Sequence, residues 1–172
     1  PESIDTALEG VDSVLLISGS DPGARLAGHV NVIEAAARAG VKKLAYTSVS
    51  HADTSELVLA PDHKATEEAI AASGIPAVIL RNNWYIENSA GDLATAAQTG
   101  VLSAAVGDAA ISAAARIDFA EAAAAVMLDD AHIGRTYELA GPRATYSDIA
   151  AAMSEVLGRE VVYAPATAEE LA

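Results

Sequence analysis

Cysteine is absent from the 172 residues, which excludes disulfides and thiolate chemistry and allows a reducing, cytoplasmic setting. Basic residues are scarce. Ten Lys and Arg stand against 24 Asp and Glu, a formal net charge of −14, and the ten are scattered along the chain. Without a basic patch, neither nucleic acid nor an anionic membrane surface is expected as a main partner. No apolar run reaches the roughly 18–20 residues of a transmembrane helix. Internal repeats, low-complexity linkers and long charge runs are missing too. No His, Asp or Glu spacing suggests a metal site, and no Ser–His–Asp set can be assembled. An initiator methionine is also lacking: the chain starts at Pro1 and its first residues read as the middle of a fold. An amino-terminal portion is therefore expected ahead of it, and the lack of a targeting sequence carries little information.

What is present is a 52% hydrophobic, alanine-rich chain, long enough for a real core, in which strand and helix patterns alternate. Ser3–Leu8 reads as one or two helical turns closing at Gly10. Val14–Ile17 is a continuous apolar run, the pattern of a strand buried on both faces, and the loop Ser18–Gly23 follows it. Between Ala24 and Ala39 the positions Leu26, Val30, Ile33, Ala36 and Ala37 share a helical face, with Gly40 as the stop. Next come a strand at Leu44–Ser48, a polar loop over Ser50–Ser55, a helix from Asp62 to Ala72 closed by Gly74, and a strand at Ala77–Leu80.

The second half is read as a helix ending at Thr99-Gly100, short apolar pieces over 101–112, and a possible strand at Ser112–Ile117. Asp118 and Glu121 make a capping-box pattern opening a helix to Leu128. A short strand at Thr136–Leu139 precedes the turn Gly141-Pro142, and Thr145 or Ser147 caps a helix to Leu157 that stops at Gly158. Val161–Tyr163 is a last strand, and Thr167 opens a terminal helix. This is the alternation of an α/β protein, a parallel sheet with crossover helices, whose ligand edge lies at the strands' carboxyl ends. Three loops fall on that edge: Ser18–Gly23, Thr47–Ser55 and the stretch from Arg81.

That last stretch, Leu80 to Asn88, holds one Arg, three Asn, one Glu and two aromatics, including the chain's only Trp. Amide hydrogen-bonders and aromatic faces just past a strand suit a pocket for a planar ligand. The plainer reading is a strand-to-helix turn with Trp84 plugging the core.

The run Ala72–Asn88 resembles the NmrA-like branch of the atypical short-chain dehydrogenases. Tyr46-Thr47-Ser48, His51–Ser55 and Tyr137–Pro142 support the likeness, which covers nearly the whole chain apart from 101–112. The resemblance implies a Rossmann-like NAD(P)-binding part over residues 1–88 and a smaller substrate-side α/β region over 89–172, interleaved with the last sheet strands. It implies hydride transfer from NADPH or NADH to a quinone, with no flavin and no metal, in a cytoplasmic protein for which an oligomer is possible. The family's glycine-rich pyrophosphate loop follows its first strand, and no G-x-x-G-x-x-G opens a helix in these residues. The pattern would put two or three strands ahead of Pro1, leaving Val14–Ile17 as a bare sheet edge and the chain alone a poor dinucleotide binder.

The resemblance also locates an empty catalytic pair. Counting back from Gly74, Glu67 takes the family's Glu position, His63 the Lys position and Leu59 the Tyr position. Lys64 points about 100° round the helix from His63 and is not a substitute. Hydride transfer to a quinone needs mainly that two rings stack at their reacting atoms, so it survives this loss. His63 and Tyr85 are the candidate catalytic residues. Ile17, Ser18, Gly19, Tyr46, Thr47, Ser48, His63, Arg81 and Asn82 are the cofactor set, and Asn83, Trp84, Tyr85 and Asn88 the substrate set. Tyr46 also reads as core packing, His63 as a structural histidine, and Arg81 as a partner of Glu87 rather than of a phosphate. The rival function is a non-catalytic NAD(P)-binding redox sensor that regulates a partner protein. A third reading is an inactive fragment of either.

Overall fold

The computed structural model describes residues 2–21 and 23–170. The chain forms two compact units, Pro1–Asn82 with Ile117–Leu139 and Asn83–Arg116 with Ala140–Ala172.

The first unit is built on a four-stranded parallel sheet. Its strands are β1 (Ser13–Ile17), β2 (Lys43–Val49), β3 (Ala77–Asn82) and β6 (Thr136–Leu139), in the order β1-β2-β3-β6. Helices α1 (Glu2–Ala7), α2 (Arg25–Ala39), α3 (Ala60–Ser73) and α5 (Arg116–Leu128) accompany it. Successive side chains of a strand face opposite ways, so β2 feeds two cores. Leu44 and Tyr46 join Leu16, Ile33, Ala36 and Ile70 on the side of α2 and α3. Ala45 joins Val78, Leu80, Ala123 and Val126 on the side of α5. The α/β class, the parallel sheet and its crossover helices follow the alternation in the sequence. Gly40 and Gly74, two of the expected stops, take positive φ of 69° and 73°, where a side chain would be strained.

Several local expectations are corrected. Of the strand expected to be buried on both faces, only Leu16 is buried, and Ile17 is 68% exposed. The reason is position: among the described residues β1 pairs with β2 alone and forms the edge of the sheet. On α2 the buried residues are His29, Ile33, Ala35 and Ala36, while Ala37 is exposed. Helix α3 begins two residues early, at Ala60, with Pro61 in its first turn where a missing N–H costs nothing. The box expected at Asp118 does not open α5, which is already helical at Arg116. The Arg116 amide donates to both carboxylate oxygens of Glu87, at 2.9 and 3.0 Å, so the cap comes from 29 residues away.

The second unit holds α4 (Ala90–Thr99), the parallel pair β4 (Val101–Ala104) and β8 (Val162–Pro165), the antiparallel pair β5 (Ala110–Ile111) and β7 (Ala144–Thr145), and α6 (Tyr146–Leu157). Its core gathers Ala96, Leu102, Ala150 and Val161. The strand expected at Ser112–Ile117 is replaced by β5 and one bridge between Ala114 and Tyr85. Thr145 caps α6 in a reciprocal box with Asp148, which decides between Thr145 and Ser147. Thr167 and Glu170 form the same reciprocal pattern within a turn. The terminal helix expected to follow runs into Leu171 and Ala172, which lie outside the described residues.

Candidate active site

In the first unit the sheet's register gathers the expected residues at the strand carboxyl ends. Leu16 stands beside Tyr46, Ile17 beside Thr47, and Ser48 beside Arg81. The Ser18 amide donates to Thr47 Oγ1 at 2.9 Å, and the Gly19 amide to His29 Nε2 at 3.0 Å. The Gly19 carbonyl accepts from Arg25 Nε at 2.7 Å. Both backbone groups of Gly19 are therefore engaged within the chain.

Tyr46 is wholly buried, and its hydroxyl lies 2.8 Å from His63 Nδ1. Of its two readings, core packing or cofactor contact, the structure places the side chain in the core. His63 is 5% exposed, and burial followed by the nearby Arg25 charge pulls its pKa down to about 4. The ring is thus neutral at physiological pH. Among the described residues its Nε2 makes no hydrogen bond and is not a fully buried atom, so that edge of the ring is not sealed.

Arg81 is committed. Its Nε and Nη2 hold Glu67 in a two-pronged pair at 3.0 and 2.8 Å, and Nη1 reaches Asp53 at 2.9 Å and Glu138 at 3.1 Å. The pairing with Glu87, one of its two readings, is corrected, since the carboxylate of Glu87 serves the start of α5 instead. Ser48 donates to Glu67, and Ser50 with the His51 amide to Glu138. The ends of β2, β3 and β6 are tied by this one guanidinium. Asn82 is buried, and its carbonyl accepts from the Ser50 amide at 3.0 Å.

In the second unit the turn Asn83–Ser89 is stitched to Ala114, whose amide donates to Trp84 O and whose carbonyl accepts from the Ile86 amide. Asn83 Oδ1 accepts from the Trp84 amide at 2.7 Å, Arg116 lies over the Tyr85 ring at 5.9 Å, and Asn88 is exposed. Trp84 is 48% exposed and does not plug a core. An apolar cavity of about 530 Å³ lies by this turn, lined by Ile86, Ser89, Leu93, Ile111, Ile149 and Met153 among others.

Sequence reasoning missed His29, Thr66, Asp53 and Glu138. His29 shares a helical face with Ile33 and Ala36, which marked it as buried. Nothing local to the other three pointed to their partners. Among the described residues no cluster of His, Asp and Glu could hold a metal ion. No described helix is long and apolar enough to cross a membrane.

The NmrA-like family profile matches residues 1–172. The chain belongs to the NmrA-like family. Quinone oxidoreductase 2 of Escherichia coli strain K12 is 47% identical over 162 residues, which are 94% of this chain and 57% of that protein. The crystal structure of an NADPH-dependent quinone oxidoreductase from Escherichia coli, complexed with NADPH, matches with a TM-score of 0.91 at 45% identity. That match covers 96% of this chain and 59% of the other. A triphenylmethane reductase of Citrobacter sp. matches with a TM-score of 0.94 at 36% identity, covering 99% of this chain and 61% of that one. This NmrA-like chain therefore spans just over half the length of the curated relative it resembles.

Proposed function

We propose that this protein transfers a hydride from NADPH to a quinone, in a cytoplasmic setting. The carrying observation is the 47% identity to a quinone oxidoreductase along 94% of the chain. NADPH rather than NADH is taken from the NADPH complex of a relative at 45% identity. The cofactor, when bound, supplies the hydride, and the reading needs no flavin and no metal. The residues in hand fit its nicotinamide side. The unsealed Nε2 of neutral His63 can bond a ribose hydroxyl, and the exposed Ile17 side chain can lie against the nucleotide at the end of β1.

Ser18, Thr47, Ser48 and Asn82 shape this edge, and Arg81, spent on three carboxylates, braces it rather than taking a phosphate. On the substrate side, half-exposed Trp84 and Tyr85 offer ring faces, and Asn83 and Asn88 offer amides. The apolar cavity beside this turn presents one hydroxyl, that of Ser89, and no charge.

The test is NADPH consumption by the full-length protein with simple benzoquinones and naphthoquinones. Steady turnover in flavin-free preparations is expected, and no turnover with any of them overturns the reading. Tight NADPH binding without turnover, plus a co-purifying partner protein, would instead favour the redox sensor. The reductase relatives at 36–47% identity weigh against that outcome.

A further inference from the structure

The hydrogen bonds between α2, β2 and α3 can be followed proton by proton. The Gly19 amide donates to His29 Nε2, so a neutral His29 carries its proton on Nδ1. That proton points at Thr66 Oγ1, 3.0 Å away, and Thr66 gives its own to the Asp62 carbonyl at 2.8 Å. The protons of His29 and Thr66 are thereby placed. The phenol of Tyr46 remains, 0% exposed, and a buried hydroxyl must give its proton to something. Thr66, the other side chain beside the phenol, already takes the His29 proton, and Nδ1 of His63 stands 2.8 Å away. The Tyr46 ring is held from its other side by the edge of His29, with ring centres 5.4 Å apart at 69°.

We propose that Tyr46 is a positioning residue: its hydroxyl donates to Nδ1 of His63 and locks that ring in the tautomer with the proton on Nε2. His63 then faces the ligand edge as a fixed N–H donor, able to bond a nucleotide oxygen and unable to act as a base. What Nε2–H meets rests on the oxidoreductase reading; the tautomer does not. Burial and the Arg25 charge agree with a ring that stays neutral, and the other groups facing it are His29, Asp62 and Glu67. Losing the Tyr46 hydroxyl strips the neutral ring of its donor, so both tautomers become populated and the ring protonates more readily.

The experiment is long-range proton–nitrogen NMR of the histidines in the full-length protein, with four His residues to assign by substitution. Wild type should show His63 with Nε2 protonated and Nδ1 bare at neutral pH. In Tyr46→Phe the two nitrogen signals should move towards each other. The acid limb of turnover should rise by about one pH unit, with kcat lowered several-fold and the quinone KM little changed. A wild-type His63 carrying its proton on Nδ1 overturns the proposal, as does an unchanged tautomer in the variant. The wild-type spectrum decides the first point even where Tyr46→Phe does not fold. The locked tautomer in a protein that turns over no quinone would sustain the positioning role and sink the oxidoreductase reading, so the two failures are distinguishable.

Discussion

Gly141 shows how one atom can be excluded by backbone alone. A Cβ built there would stand 1.9 Å from the Ala113 carbonyl oxygen, in a turn where the Gly141 amide bonds Ser112 O at 3.0 Å. Backbone cannot swing aside as a flexible side chain can. Gly141→Ala should therefore cost about 1–3 kcal/mol, seen as a lowered urea midpoint, and an unchanged midpoint would refute the close approach. Trp84 presents the opposite case, a large ring left half in solvent with its indole N–H 3.4 Å from Ser89 Oγ. Trp84→Ala should raise the quinone KM more than it weakens NADPH binding. Equal losses in both would mean that the ring is structural.

At the scale of elements, the ends of three strands depend on one side chain. Arg81 and Glu67 are 13% and 15% exposed, so removing the guanidinium leaves a largely buried carboxylate without its cationic partner, held among the described residues by Ser48 alone. Arg81→Met should lower stability by about 3 kcal/mol. Arg81→Lys should recover only part of that, because an ammonium restores the charge without the two-pronged geometry. Equal midpoints for wild type and Arg81→Met in urea titrations would show that the network is not under tension to hold β2, β3 and β6 together.

These element-level ties also set how far local reading could go. The helix stops and the strands Ala77–Leu80 and Thr136–Leu139 were legible, and the α6 cap was narrowed to Thr145 or Ser147, because each depends on residues a few positions apart. The start of α5 was not, since its cap is a carboxylate 29 residues upstream.

Over the whole molecule, the buried histidines tie stability to pH. His63 titrates near 6.5 in an unfolded chain and at about 4 in the folded one, and the pKa of His29 is lowered as well, first by burial. Between those two values the unfolded chain takes up a proton that the folded chain refuses. Stability is therefore full above pH 6.5 and falls as the solution is acidified towards pH 4. The His63 share is on the order of 3 kcal/mol. Urea midpoints for wild type should drop over this range, and those of His63→Gln should drop less; parallel curves would mean that His63 titrates normally.

Composition and pattern were enough to determine the α/β class, the parallel sheet, the loops that share the edge at its strands' carboxyl ends and, through the Ala72–Asn88 run, the family. Each follows from short-range periodicity, or from residues adjacent in the chain. Which atoms of that edge remain available was decided only by the tertiary structure. Tyr46 and His63, 17 residues apart, meet because α3 packs against β2, and Arg81 and Glu138, 57 apart, because the strand register sets them side by side. That register depends on long-range pairing that no local pattern carries. So the arginine that read as either a phosphate ligand or a partner of Glu87 is spent on other carboxylates, and the tyrosine that read as either core or cofactor contact is a buried partner of His63.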